Sequence, residues 1–137
     1  MDTQTVGLVQ STWKQVAVLG PPAAKLFYDN LFKADPSLQP LFKGNMDDQG
    51  KKLLQMIGVA VSKLNDLDTL VPVLQALARR HVTYGVKDAH YDTVGAALLT
   101  TLEQGLGEEF TPDVKDAWTA VYTVMAGVMV SASRAES

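Results

Sequence analysis

Residues 68–85 read DTLVPVLQALARRHVTYG, and the spacing of apolar and ionisable residues in this stretch decides the fold. Leu70, Leu74, Leu77 and His81 follow one another at intervals of four, three and four, so they share one face of a helix. Asp68 or Thr69 can cap that helix, Pro72 then falls in the first turn where a missing N–H is tolerated, and Gly85 ends it. An apolar stripe of this kind must be covered by other elements. His81 therefore projects into whatever core the chain builds.

The same period extends in both directions. Upstream, Gln49, Leu53, Met56, Ala60 and Leu64 mark one face of a helix that runs from about Asp48 to Asn65-Asp66. Lys43-Gly44-Asn45 reads as a loop before it. Asp35-Pro36 supplies an N-cap and a first-turn proline for a short helix running into Leu41-Phe42. Ala24, Phe27, Tyr28 and Leu31 lie on a helix opened by Pro21 and Pro22, and Val6, Val9, Trp13 and Val16 on a first helix ending near Gly20. Downstream, Val94, Leu98, Thr101 and Leu102 precede a break at Gly105-Leu106-Gly107. Thr111-Pro112-Asp113 then starts a last helix with Trp118, Val121, Tyr122 and Met125 inward. The expectation is an all-α chain of seven to eight helices with short connections, forming a single domain over residues 1–137.

Composition removes several function classes. Hydrophobic residues make up 47% and charged ones 20%, as in a folded chain rather than a disordered one. Twelve basic residues scattered among fifteen acidic ones, with a net charge of -3, do not form the basic face that nucleic acid requires. With no cysteine there is no disulfide, thiolate nucleophile or zinc-thiolate site. The start, Met1 to Thr5, lacks a basic segment followed by an apolar stretch, and no run approaches the roughly 20 apolar residues of a membrane helix, so a cytoplasmic location is expected.

The chemistry-bearing residues are few. Of the two histidines, His90 follows Asp88-Ala89 at a helix entrance and is expected to be solvated. His81 needs a partner for each ring nitrogen if it is buried. On its own the position suits a core histidine bonded to a backbone carbonyl, the commoner case, as well as a metal ligand. Glu-x-x-His pairs for a carboxylate-bridged metal pair are absent, as are a glycine-rich phosphate loop, a Gly-x-Ser-x-Gly elbow and a His-Glu-x-x-His pair. Catalysis without a cofactor lacks its first requirement.

Taken together, a series of short motifs resembles the bacterial single-domain globins and the globin domain of flavohemoglobins. They are Phe27-Tyr28-Asp29 with Leu31-Phe32, Pro36, Leu41-Phe42, Asp48-Gln49 with Leu53, Arg80-His81, Gly85-Val86, His90-Tyr91, Val94-Gly95, Asp116-Ala117-Trp118 and Val121-Tyr122. Each is weak alone; their order and spacing are specific. The resemblance implies a globin fold around one heme b, with His81 as the proximal ligand of the iron. Phe42 would pack on the porphyrin, Leu53 would limit the space above the iron, and Leu77 and Tyr91 would line the cofactor. Lys52 and Arg80 would meet the propionates, unless they are simply solvated surface charges.

The resemblance also makes Tyr28 and Gln49 a distal pair. Dioxygen held by the iron draws negative charge onto its outer atom, which a phenol hydroxyl and an amide NH₂ can meet. At about 1 kcal/mol for each donor, the two would tighten binding by tens of fold, mostly through slower release. The implied ligands are dioxygen, nitric oxide or other small diatomics. The implied functions are tight oxygen binding or, alternatively, nitric oxide dioxygenation. Two departures bear on the second. The resemblance ends with the globin part, so electrons would come from a separate reductase. Flavohemoglobins also place a glutamate near the end of the last helix, where this chain has Ser133, which cannot supply a negative charge behind the proximal histidine. Glu136 lies nearby in a polar tail.

Overall fold

The computed structural model describes residues 3–42, 45–84 and 88–135. Among them are six α-helices: α1 (Thr3–Ala17), α2 (Pro21–Ala34), α3 (Met46–Ser62), α4 (Leu67–Tyr84), α5 (Asp88–Leu106) and α6 (Pro112–Ala135). Two 3-10 segments, Pro36–Leu41 and Gly107–Glu109, complete the helical path, and no strand occurs among the described residues. The all-α expectation is met. The expected loop at Lys43-Gly44 and the terminator Gly85 lie outside the described residues.

Local chemistry explains most of the boundaries. Pro21 and Pro22 occupy the first positions of α2, where proline's fixed φ suits the helix and its missing N–H costs nothing. The turn before them passes through Gly20 at φ 66°, a left-handed conformation that a Cβ would oppose. The Asp35 carboxylate accepts from the Ser37 N–H and opens the 3-10 segment. For α3 the cap is Asn45, which accepts from the N–H groups of Asp47 and Asp48, so that helix begins two residues before the expected start. Asp47 and Asp48 then sit at the positive end of the helix dipole.

For α4 the expected cap is corrected. Asp66 rather than Asp68 or Thr69 holds the N-terminus, accepting from both the N–H and the hydroxyl of Thr69. Because α4 starts at Leu67, Pro72 stands in the second turn instead of the first. There it removes a helical hydrogen bond to the Asp68 carbonyl. The expected break at Gly105-Leu106-Gly107 is found at its second half: α5 runs to Leu106, and Gly107, at φ 57°, makes the turn.

The packing puts α6 between α1 and α4, while α2 lies along α5 and α3 rests on α1 and α2. Val6, Val9, Trp13 and Val16 of α1 are all buried, as the helical period requires. Leu31, Leu70, Leu102 and Trp118 are at or below 1% exposure, and each such side chain contributes roughly 1.5–3 kcal/mol relative to exposure. The core also contains polar groups that bond within and between helices. Trp118 Nε1 donates to Thr12 Oγ1 at 2.9 Å, and that hydroxyl donates in turn to the Leu8 carbonyl of α1 at 2.6 Å. Asn30 of α2 donates to Thr101 and Gln104 of α5, both at 3.0 Å. Gln10 ties α1 to the end of α3 through the Val61 carbonyl.

Thr12→Val keeps the shape of the side chain but leaves the Trp118 indole N–H buried without its acceptor. We expect a loss of about 1–3 kcal/mol in urea denaturation, and recovery of most of it in Thr12→Ser. Equal stability of Thr12→Val and the native chain would show that the bond is not needed.

Candidate functional site

Two groups of side chains could meet a bound molecule. The first is built by α2, the 3-10 segment and α3. Tyr28 is buried on α2 amid aromatic rings: Phe27 and Phe42 meet it edge-on at centroid distances of 5.5 and 5.3 Å, and Phe32 stacks on it at 6.0 Å. Phe32 and Phe42 also touch edge to face at 5.4 Å. The Tyr28 hydroxyl donates to the main-chain carbonyl of Gln49 at 3.2 Å. Burial pushes its pKa up to about 12, so at neutral pH it is a hydrogen-bond donor and not a phenolate.

The approach of α3 to α2 at this point depends on a glycine that sequence reading passed over. A Cβ on Gly50 would lie 3.0 Å from the Ala24 Cβ and 4.0 Å from Tyr28 Cε2. Gln49 itself is half-buried, and Leu53, one turn on, is half-buried against the core. Leu53 lines a void of about 10 Å³ with Trp13, Ala24, Phe27 and Leu98, at the lower limit for a single water. Lys52 is exposed.

The second group is carried by α4, α5 and α6. His81 is half-buried, and its Nδ1 lies 2.8 Å from the Leu77 carbonyl of its own helix. A carbonyl oxygen can only accept, so Nδ1 carries the proton and, in the neutral ring, the lone pair is on Nε2. Burial lowers the His81 pKa; the bond to Leu77 opposes this, and the neighbouring charge of Arg80 adds to it. The neutral, ligating form is thereby favoured. Leu77 packs against the core at half-burial and Arg80 is exposed.

Tyr91 is buried and its ring stacks on His81 at 6.4 Å with an interplanar angle of 24°. Its carbonyl accepts from the Tyr122 hydroxyl of α6 at 2.6 Å. Tyr122 can reach it because Gly95 has no side chain: a Cβ there would come within 2.7 Å of the Tyr122 ring. Burial raises the Tyr122 pKa strongly, with smaller contributions from Tyr91 and Asp92. Sequence reading placed Tyr122 inward without this role; the Gly95 and Tyr122 pair, four residues from Tyr91 and on the next helix, is visible only once α5 and α6 are packed. The Ser133 hydroxyl donates to the Val130 carbonyl of its own helix at 2.8 Å, and Glu136 lies outside the described residues. His90 is half-buried rather than solvated. The Asp35 carboxyl is held below its usual range chiefly by the Ser37 hydroxyl, with a smaller contribution from His90.

These residues fit the cofactor that the resemblance implies. Among the described residues no three carboxylate or imidazole groups converge to hold a bare metal ion. A single imidazole with its tautomer fixed by a carbonyl suits an iron whose other ligands come from a macrocycle. Phe42, Phe32 and Tyr28 supply the flat apolar surfaces that a porphyrin needs. Among the described residues no helix is long and apolar enough to cross a membrane.

Comparison with known proteins bears on the family and the fold. A family model described as Globin matches residues 25–129. The flavohemoprotein of Bacillus subtilis (strain 168) is 30% identical over 135 residues, which is 95% of this chain and 33% of that protein. This chain thus spans about a third of the length of the curated relatives it matches. Among solved structures, the bacterial globin from Campylobacter jejuni superposes with a TM-score of 0.84 at 24% identity, covering 97% of this chain and 96% of that one. The flavohemoglobin from Malassezia yamatoensis, solved with bound FAD and heme, superposes at 0.81 with 26% identity, over 98% of this chain and 37% of that one.

The two raised tyrosine pKa values make stability depend on alkaline pH. In the unfolded chain the phenols ionise near their ordinary value of 10.0, whereas folded Tyr28 holds its proton to about 12 and Tyr122 beyond that. Their contribution is complete below about pH 10 and is lost as pH rises through the folded values. Urea midpoints measured at about pH 8 and about pH 11 should fall for the native chain and fall less for Tyr28→Phe. The same drop in both would place Tyr28 in contact with solvent.

Proposed function

We propose that this chain, which belongs to the globin family, is a heme protein that binds dioxygen tightly, together with nitric oxide or other small ligands. The observation that carries this reading is the Tyr28 hydroxyl, a protonated donor buried among aromatic rings beside the start of α3. Heme b supplies an iron site that takes a diatomic ligand. His81 holds the cofactor from the α4 side through Nε2, and the Leu77 carbonyl fixes the ring's orientation. Phe42 packs on the macrocycle and Tyr91 backs the imidazole. Tyr28 and Gln49 donate hydrogen bonds to the bound molecule, with Leu53 restricting its space. Lys52 and Arg80, both exposed, would meet the propionates without any burial cost.

Likeness to the flavohemoproteins favours a second reading, nitric oxide dioxygenation with electrons from a separate reductase. Against rapid turnover stands Ser133, an uncharged side chain bonded within its own helix where flavohemoglobins carry a glutamate. The location we propose for either role is the cytoplasm.

The purified chain should take up hemin and develop an intense Soret band, and His81→Ala should lose stable uptake; undiminished uptake by the variant would assign the ligand elsewhere. Tyr28→Phe should release dioxygen several-fold to about ten-fold faster in stopped-flow mixing, the effect of one hydrogen bond. An unaltered rate would remove Tyr28 from the ligand. The two readings separate when the dioxygen-loaded protein is mixed with nitric oxide and an added reductase. Repeated cycles of nitrate formation support the enzyme, and a single stoichiometric conversion supports the binder.

A further inference from the structure

The Tyr28 hydroxyl has one hydrogen, and in this structure it is given to the Gln49 carbonyl. At 3.2 Å the bond is long for O–H···O, whose usual range is about 2.5–3.0 Å, so it holds the hydroxyl without gripping it. Any ligand that Tyr28 stabilises must take the hydrogen from that carbonyl. The crossing of α2 and α3 fixes how close the carbonyl comes, and Gly50, adjacent to Gln49, is what permits the crossing. A Cβ at position 50 would lie 3.0 Å from the Ala24 Cβ, and neither atom can swing aside because each is fixed to a helix backbone.

We propose that the Tyr28 hydroxyl is shared between the Gln49 carbonyl and the bound ligand, and that Gly50 sets the division by letting α3 close on Ala24. Gly50 is thus a positioning residue for the distal donor. The inference rests on the heme reading above and deepens it: ligand retention is an exchange of acceptors, and its strength depends on helix spacing as well as on the residues that face the ligand. Widening the crossing moves the carbonyl away from the hydroxyl and leaves the hydrogen to the ligand. Narrowing it does the opposite.

The test uses the hemin-loaded, reduced protein and reads the dioxygen dissociation rate. Gly50→Ala should slow release about 2- to 10-fold, the effect of relieving one weak competing hydrogen bond. Ala24→Gly, which removes the opposing Cβ, should speed release. The exchange of the two, Ala24→Gly with Gly50→Ala, should return the rate to near native, because it moves the Cβ from one helix to the other. Adding Gly50→Ala to Tyr28→Phe should have no further effect. An unchanged rate in both single variants, or the same slowing by Gly50→Ala with and without the Tyr28 hydroxyl, overturns the inference. A native chain that takes up no hemin overturns the heme reading instead. In that case the ¹³C shift of Tyr28 Cζ in the apoprotein decides whether Gly50 governs the Tyr28 contact. The shift should move in Gly50→Ala and return in the exchanged pair; a shift that stays at its native value in Gly50→Ala refutes the coupling.

Discussion

Trp118 is fully buried, and its indole N–H meets a hydroxyl on another helix, that of Thr12. Burying so large a side chain is favourable only if its one polar atom is bonded, so the bond fixes how α1 and α6 face each other. Trp13, beside Thr12, tilts against the same indole at 6.1 Å. The position of α6 then determines α4, which lies along it and carries His81, and α5, which Tyr122 holds through the Tyr91 carbonyl. On the other side, α1 supports α3, whose first turns bring the Gln49 carbonyl to Tyr28. Both groups of site residues are therefore placed by helices that refer back to one buried hydrogen bond.

Three of the polar side chains at the site share a device. His81 bonds the Leu77 carbonyl, Tyr28 the Gln49 carbonyl and Tyr122 the Tyr91 carbonyl. A main-chain carbonyl in a helix cannot rotate, so it orients its partner more firmly than a side chain would, and it accepts without ever competing as a donor. The result differs with the partner. For His81 it fixes a tautomer and leaves the opposite nitrogen in the ligating form. For Tyr122 it joins two helices across Gly95. For Tyr28 it takes up the hydrogen that the proposed ligand requires.

Much of the fold was legible because helices announce themselves by period. The stripes through Val6 to Val16 and Leu70 to Leu74 became core, and Pro21, Asp35 and Pro112 open helical segments as their chemistry requires. Caps were less legible, since Asp66, Asp68 and Thr69 offer equivalent oxygen atoms within four residues and only the folded turn selects Asp66. His81 and Tyr91 were legible as candidates through the resemblance, but their stacking is a product of packing between α4 and α5. Gly50 was invisible for a different reason. A glycine within a helix reads as a weakness in sequence, and its value emerges only when Ala24 of another helix packs against it.

The additive view of the distal pair assigns Tyr28 and Gln49 about 1 kcal/mol each, as though both donors waited unbonded for a ligand. The geometry makes that view incomplete. A buried hydroxyl with no acceptor would itself destabilise the fold, so a folded chain without ligand has to provide one, and here the Gln49 carbonyl does. What Tyr28 adds to the proposed retention is then the difference between two hydrogen bonds, one to a fixed carbonyl and one to a ligand carrying partial negative charge. A charge-assisted bond exceeds a neutral one, and the carbonyl bond is long, so the difference favours the ligand. The residue proposed to tighten binding is thus kept satisfied when nothing is bound, and the spacing of α2 and α3 would connect the stability of the fold to the strength of the site.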